Sequence, residues 1–161
     1  MDEPSGWVVK WAPHVTRGPV LDVACGGGRH ARFFQKLGFD VVAVDREAVS
    51  IEKVTFVKAN LEDGNPWPFG GRHFGAIVVT NYLYRPLFPD LLESLDDGGV
   101  LIYETFMAGN ERFGKPSNPD FLLRPGELRE AFKGLQELGF EEGEFDSPKR
   151  AMLQRICCLK R

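Results

Sequence analysis

The stretch VLDVACGGGRHA, residues 20–31, decides the fold of this chain. A short β-branched run is followed by three consecutive glycines and then by residues that favour a helix, which predicts a strand, a tight turn and a helix start. Glycine has no Cβ, so backbone in the turn can approach a ligand closely, and a helix beginning near Arg29 offers free N–H groups. The sequence therefore predicts a nucleotide-like cofactor at this turn.

A second strand, DVVAVD at residues 40–45, ends in an acid. In a nucleotide-binding βαβ unit such an acid binds a ribose hydroxyl, which predicts that role for Asp45. The spacing Gly26-x-Gly28-x-x-Ala31 also satisfies the nicotinamide fingerprint in its G-x-G-x-x-A form. These two features alone leave a dinucleotide and another nucleoside cofactor open.

Asp22 separates the two classes, because an acid within a doubly buried strand is costly unless it has a partner. The pattern of an acid, small residues and then G-x-G resembles the first motif of the class I methyltransferases that use S-adenosylmethionine (SAM). Asp22, Ala24, Gly26 and Gly28 match it, with Ala24 standing where many members carry glycine. The resemblance implies SAM as cofactor, with its ammonium near Asp22, and S-adenosylhomocysteine (SAH) as product. Alternatively, Asp22 braces the glycine turn through backbone N–H groups.

The resemblance also implies the architecture, an α/β fold with a Rossmann-like, doubly wound, seven-stranded sheet. The expected strand order is 3-2-1-4-5-7-6, with the last strand antiparallel. We expect one domain over residues 1–161, divided into four parts: an N-terminal flap (1–19), a SAM-binding core (20–106), an acceptor-side loop (107–125), and a last helix with an antiparallel strand pair (126–161). Size, the minimal N-terminus and the motif order are most similar to small bacterial tellurite-resistance (TehB-like) methyltransferases.

Most of the intervening segments have the length and pattern of this core. Residues 29–37 carry an apolar stripe that ends at Gly38, which predicts the first crossover helix. The next crossover, residues 46–53, has room for barely two helical turns, so we expect thin cover there, with an exposed apolar strip or a partner. A helix at 88–95, a D-G-G turn and a strand at 99–106 complete the prediction for the parallel part of the sheet.

The residues that the resemblance assigns to the cofactor lie at predicted strand ends. They are Asp22, Ala24, Cys25, Gly26, Gly27, Gly28, Asp45, Arg46, Asn60, Leu61, Glu62 and Asn81. Asn60 stands where the family usually presents an acid to the adenine amino group; its amide oxygen can still accept that hydrogen bond, and Asp63 is near enough to substitute. The aromatic loop at residues 66–69 either closes on the adenine ring or packs as an exposed loop.

Catalytic and acceptor contacts are predicted where the fourth and fifth strands end, since ligands in open α/β sheets lie outside the carboxyl ends of the strands. We assign catalysis to Tyr82, Tyr84 and Glu104, with His14 and Arg112 as further acceptor contacts. An N-P-P-Y motif, found in many amino-group methyltransferases, is absent here. Its absence disfavours a nucleobase or glutamine amide as acceptor. The long aperiodic stretch at residues 107–125 predicts the acceptor-side wall.

The N-terminal residues Trp7 and Trp11 lie one helical turn apart, either as part of a flap over the site or as a turn packed on the sheet. The 161-residue chain has a net charge of −3 with both signs interspersed, which argues against nucleic acid or membrane partners. No leader or metal-ligand spacing is evident, and the three cysteines are expected to be free thiols. We expect a cytoplasmic monomer or weak homodimer without a metal.

The function predicted from the sequence is SAM-dependent methyl transfer to a small-molecule acceptor. Two alternatives remain open: a SAM- or SAH-binding module that acts by interaction, and an NAD-dependent oxidoreductase. We expect Gly26→Val to abolish cofactor binding while leaving the fold intact, because a β-branched side chain would occupy the cofactor's approach.

Overall fold

The computed structural model describes residues 3–146 and 148–161 and contains one seven-stranded sheet. Its order, β3-β2-β1-β4-β5-β7-β6, confirms the predicted architecture. The strands are β1 Val20–Val23, β2 Val41–Asp45, β3 Thr55–Lys58, β4 Phe74–Thr80, β5 Leu95–Phe106, β6 Gln136–Phe145 and β7 Ala151–Leu159. Strands β1 to β5 pair in parallel, whereas β7 runs antiparallel to both β5 and β6.

Short helices connect and cover these strands. They are α1 Gly6–Trp11, α2 Arg29–Lys36, α3 Phe88–Ser94 and α4 Glu127–Ala131, with 3-10 turns at Ala12–His14, Arg85–Leu87, Asn110–Arg112 and Pro119–Phe121. The first crossover helix agrees with its prediction, and Gly38 follows it with a φ of 99°. Positive φ is the conformation in which glycine ends helices at least cost.

Strand β1 lies at the centre of the sheet and is buried on both faces. Because successive side chains of a strand point to opposite faces, Leu21 and Val23 belong to one core cluster and Val20 to the other. By the same alternation, Asp22 lies on the face of Val20, the face covered by α1 and α2. The acid is therefore inside the fold.

The predicted helix at residues 46–53 is wrong, since that segment is irregular and contains only bends and a turn. The Asp45 carboxylate accepts the Glu47 N–H at 2.9 Å, which starts the segment as a side-chain-stabilised turn. Ile51 is buried, and Val49 and Val54 pack beside it in the cluster under α2. These side chains cover the sheet face directly, so the expected exposed apolar strip does not form in this segment.

Strand β5 begins earlier than the D-G-G turn predicts. Its pairing with β4 shifts from Phe74 opposite Leu95 to Ala76 opposite Val100, so the residues between Leu95 and Val100 form a bulge. The Gly98 N–H donates to the carbonyl of Lys160 at 2.6 Å, which ties the bulge to the end of the chain.

The N-terminal segment packs on the sheet. Trp7 is 3% exposed, and its indole N–H donates to the Ile156 carbonyl of β7 at 3.1 Å. Trp11 meets it edge to face, with ring centroids 5.6 Å apart. These contacts favour the packed turn over a free flap, although the first two residues of the predicted flap lie outside the described part of the chain. No helix within the described residues is long and apolar enough to cross a membrane.

Candidate functional site

A cavity of about 520 Å³ opens at the carboxyl ends of the strands, where ligands of open α/β sheets bind. We call it the strand-end cavity. It is lined by Ala24, Asp45, Arg46, Ala59, Asn60, Leu61, Glu62, Asn81, Tyr82, Leu83, Thr105, Phe106, Pro116 and Phe121. Residues separated by up to almost a hundred positions in sequence therefore share one wall.

The strand-end cavity brings together many of the predicted site residues. Those lining it are Ala24, Asp45, Arg46, Asn60, Leu61, Glu62, Asn81 and Tyr82. The glycines, Cys25 and Asp22 do not line it and lie in the adjoining turn and in β1, with Gly26 and Gly27 exposed. The cofactor prediction thus describes one contiguous region of the molecule.

Two residues of the cavity wall hold a backbone conformation that is costly for them. Ala24 and Asn81, which follow the neighbouring strands β1 and β4, both have a φ of 54°. For a residue other than glycine this left-handed conformation costs about 1–2 kcal/mol. Glycine would hold the Ala24 conformation without that cost, and such outliers cluster at ligand sites.

The three glycines of the turn are not equivalent. The Gly28 N–H donates to the Cys25 carbonyl at 2.9 Å and closes the turn, and Gly26 and Gly28 have φ values of 56° and 90°. A Cβ on Gly28 would lie 2.5 Å from Cδ1 of Ile51, whereas a Cβ on Gly26 or Gly27 would meet no atom within 4 Å. Gly28 is therefore required by packing, and the other two leave open space for a ligand.

This geometry changes the expectation for Gly26→Val. The open space at Gly26 agrees with a ligand's close approach, but a φ of 56° is a true outlier for a β-branched residue. Valine there would strain the turn as well as fill it. Gly27, whose φ is not positive, is the position where a side chain tests the approach alone.

Asp45 bridges the glycine turn and the next loop. One carboxylate oxygen accepts the Gly26 N–H at 2.9 Å and the other accepts the Glu47 N–H at 2.9 Å. A carboxylate has about four acceptor positions, so two remain for ligand hydroxyls. Asp45 lines the strand-end cavity, which leaves them accessible.

Asp22 is 2% exposed, and its Oδ2 has no hydrogen-bond partner in the described structure. Burial raises the pKa of its carboxyl to about 7, against the opposing effects of the Ala31 amide and the Arg29 charge. The amide that favours its ionised form thus belongs to α2 and not to the glycines. A cationic ligand group is the natural compensation for such an acid.

Tyr82 lines the cavity and donates its hydroxyl to Glu62 at 2.9 Å. Burial and the neighbouring Glu62 carboxylate raise the pKa of Tyr82, so the phenol is neutral at physiological pH. Tyr84, predicted beside it, instead lines a second cavity of about 570 Å³.

This second cavity adjoins the strand-end cavity and shares Arg46, Ala59, Asn60 and Leu61 with it. The aromatic loop contributes Trp67, whose indole N–H donates to Ser94 Oγ of α3 at 2.9 Å. Phe69 of the same loop is buried in the core. The loop is therefore fixed by packing, with Trp67 at the wall of the second cavity.

The structure does not bring Glu104 to the strand-end cavity, and the prediction of a catalytic role there does not fit its place. Glu104 Oε2 lies 2.8 Å from Arg155 Nε, and Oε1 accepts the Ser5 hydroxyl at 2.7 Å. Its neighbour Thr105, on the opposite face of β5, lines the cavity instead. His14 stacks on Trp11, with ring centroids 4.9 Å apart, and Arg112 packs on Phe113; neither lines the cavity.

His30 is a buried polar residue of this region that the sequence analysis did not assign. Its Nε2 accepts the Ser5 N–H at 3.0 Å, and its Nδ1 lies 3.3 Å from Thr80 Oγ1. Burial lowers the pKa of His30 to about 4, so the ring is neutral. His30 joins the N-terminal segment to α2 and to the end of β4, contacts that no local sequence signal announces.

The loop at residues 107–125 reaches the strand-end cavity through Pro116 and Phe121. One arm is anchored by Asn110, whose side chain donates to the Pro116 carbonyl and accepts the Met152 N–H, both at 3.0 Å. The other arm is anchored where Arg85 donates to both carboxylate oxygens of Glu127, at 2.6 and 2.9 Å. The loop is therefore a fixed wall with exposed side chains.

The thiols of the three cysteines are shielded from solvent. Cys25, Cys157 and Cys158 are free and buried, and burial raises the pKa of each thiol to about 12. Among residues 3–146 and 148–161, no three histidine, cysteine or acidic side chains are grouped so as to hold a metal ion.

Comparisons with known proteins agree with this arrangement. Residues 5–65 match the family model for the tellurite resistance protein TehB. A protein-L-isoaspartate O-methyltransferase of Rhodopseudomonas palustris (strain BisB5) is 34% identical over 92 residues, which are 52% of this chain and 42% of the relative. The chain thus spans less than half the length of that relative.

Two solved structures show the same fold. TehB from Haemophilus influenzae superposes with a TM-score of 0.77 at 20% identity, over 98% of this chain and 63% of that one. The Burkholderia thailandensis 1,6-didemethyltoxoflavin-N1-methyltransferase, solved with its substrate and SAH, superposes with a TM-score of 0.69 at 15% identity, over 96% and 76%. In that protein the fold holds SAH, the demethylated form of SAM. The chain is TehB-like, with the class I methyltransferase fold throughout and the TehB family's sequence pattern over residues 5–65.

Proposed function

We propose that this protein transfers a methyl group from SAM to a small-molecule acceptor. The observation that carries the proposal is the strand-end cavity, where an accessible acid ends β2 beside a glycine turn, together with the buried acid of β1 that has one unpartnered oxygen. A sugar diol and an ammonium group are the two ligand features that these acids fit. SAM carries both, together with an electrophilic methyl group on its sulfonium.

The residues of the cavity fit the remaining parts of that cofactor. Asp45 has two acceptor positions free for the ribose hydroxyls, and Asn60 can accept from the adenine amino group. Gly27 leaves open space beside the turn for the close approach of the ligand. Binding in a fixed orientation is the main contribution that such residues make to a displacement reaction.

The strand order disfavours the dinucleotide alternative. The dinucleotide-binding fold has the order 3-2-1-4-5-6, whereas this sheet inserts an antiparallel β7 between β5 and β6. The G-x-G-x-x-A spacing left NAD open as a cofactor. In the structure, the closure of the turn and the packing of Gly28 against Ile51 account for that spacing.

Calorimetric titration with SAM, SAH and NAD tests the proposal. We expect binding of SAM and SAH without binding of NAD, and a loss of SAM affinity on Asp45→Asn. Asp40→Asn is the matched control, because Asp40 is exposed and lies just before the opposite end of β2. Binding of NAD in place of SAM, or equal SAM affinity in both variants, would refute the proposal. SAM binding without release of SAH in the presence of any acceptor would favour an interaction module.

A further inference from the structure

Some residues of the strand-end cavity are not among those assigned to the cofactor. This remaining part of the lining consists of uncharged side chains. They are Ala59, Tyr82, Leu83, Thr105, Phe106, Pro116 and Phe121. Three of the seven are aromatic, and one, Thr105, carries an aliphatic hydroxyl. Aromatic walls with few polar groups favour flat apolar ligands, and a carboxylate or phosphate would lose its hydration against them.

In the described part of this region, the groups that could take a proton from an acceptor already have partners. The neutral Tyr82 phenol donates to Glu62, whose carboxylate accepts that hydrogen bond, and Glu104 is held by Arg155 and Ser5. Both ring nitrogens of the neutral His30 face polar partners, the Ser5 N–H and the Thr80 hydroxyl. An acceptor that must lose a proton before it attacks, such as an alcohol or an aliphatic ammonium, is therefore poorly served.

We propose that the acceptor is a neutral, flat N-heteroaromatic compound whose ring nitrogen bears no hydrogen; this inference rests on the proposed function. The lone pair of that nitrogen forms the new N–C bond while the C–S bond of SAM breaks and its electron pair returns to sulfur. The products are an N-methyl heteroarenium cation and SAH, and no proton is released.

The charges of the cavity suit that transfer. Three charged residues line it, Asp45, Arg46 and Glu62, which sum to one negative charge. The positive charge begins on the sulfonium and ends on the ring nitrogen, so the reaction moves one cation within a cavity of net negative charge. A neutral acceptor leaves this charge sum unchanged, whereas an anionic acceptor would make it more negative by one charge.

The test uses the full chain saturated with SAH and three neutral probes, quinoline, isoquinoline and nicotinamide. Two comparison probes depart from this class: quinoline-4-carboxylate keeps the flat ring and adds a negative charge, and decahydroquinoline is saturated and carries an ammonium. We expect calorimetric binding of at least one neutral heteroarene, at least tenfold tighter than either comparison probe. With SAM in place of SAH, the probe that binds should yield its N-methyl cation by mass spectrometry.

Phe121→Ala provides the residue-level test, because Phe121 is 50% exposed and its truncation leaves the core intact. We expect at least a tenfold rise in KM for the heteroarene with unchanged SAM affinity, whereas Phe113→Ala, in the same loop but outside the cavity wall, should change neither. Two results would overturn this inference and leave the proposed function standing. In the first, the protein binds SAM but no heteroarene; in the second, it binds SAM and holds quinoline-4-carboxylate as tightly as quinoline. Absence of SAM binding would instead overturn the proposed function.

Discussion

The substitution of Gly28 by alanine should destabilise the protein, whereas that of the adjacent Gly27 should not. At Gly28 the new Cβ would lie 2.5 Å from Cδ1 and 2.9 Å from Cγ1 of Ile51, with a φ of 90°. Overpacking of a core contact costs about 1–3 kcal/mol, and a left-handed conformation of a residue other than glycine about 1–2 kcal/mol. We therefore expect Gly28→Ala to lower the free energy of unfolding by about 2–5 kcal/mol.

Urea unfolding followed by tryptophan fluorescence measures this difference. Gly27→Ala, whose Cβ meets nothing within 4 Å, should stay within about 0.5 kcal/mol of the wild type. Ile51→Val removes the nearer of the two clashing atoms, so in the double variant it should recover about 1 kcal/mol of the loss, a coupling that a double-mutant cycle detects. Equal losses at Gly27 and Gly28, or strictly additive effects of Gly28→Ala and Ile51→Val, would refute the packing argument.

Three further predictions concern the strand-end cavity. Ala24→Gly removes the cost of a φ of 54° and should raise the free energy of unfolding by up to about 1 kcal/mol in urea unfolding; a loss of stability would contradict the strain. Asp22 has a pKa raised from 3.8 to about 7, so the folded state holds its proton where the unfolded state has lost it, and stability should fall as pH rises from about 4 to about 7. Asp22→Asn should flatten that fall in unfolding measured across the range, and an unchanged slope would exclude Asp22 as its source. Arg85→Ala removes both hydrogen bonds to Glu127 and should raise acceptor KM with little change in SAM affinity; equal losses of both would show that the pair supports the whole fold.

The glycine turn and the strand order could be predicted from the sequence because they depend on local patterns. Residues 20–31 combine a buried strand, a turn that only glycine fits and a helix start, and each part agrees with the others. Asp45 follows from its place at the end of a second apolar strand. Most of the predicted cofactor residues therefore line one cavity or lie in the adjoining turn and strand.

The role of Glu104 could not be derived in the same way. Strand β5 is buried on both faces from Val100 to Thr105, so its sequence lacks the alternation that would show which residues share a face. The side chain of Glu104 faces Arg155 and Ser5, whose pairing with it spans 51 and 99 positions of the chain. Thr105, one residue later, faces the cavity. The sequence located the end of the strand but not the face on which each side chain lies.

The crossover at residues 46–53 shows a second limit. Its apolar residues, Val49 and Ile51, have too few neighbours in sequence to distinguish a helical period from an irregular packed segment. The Asp45 carboxylate accepts the Glu47 N–H, a contact found at helix starts as well as in turns, so it does not distinguish the two outcomes either.

Asp22 and Ala24 impose two separate costs on the end of one strand. The first is a buried carboxyl with an unpartnered oxygen, and the second is a left-handed backbone at a residue with a Cβ. Core packing requires neither cost. Asparagine in place of Asp22 would remove the first, and glycine in place of Ala24 would remove the second. A ligand that places a cation near Asp22 would compensate the first cost only when that acid is ionised, so cofactor affinity should rise with pH through about 7. That dependence distinguishes an acid kept for binding from one that only braces the turn, because a bracing acid gives the same affinity on both sides of its pKa.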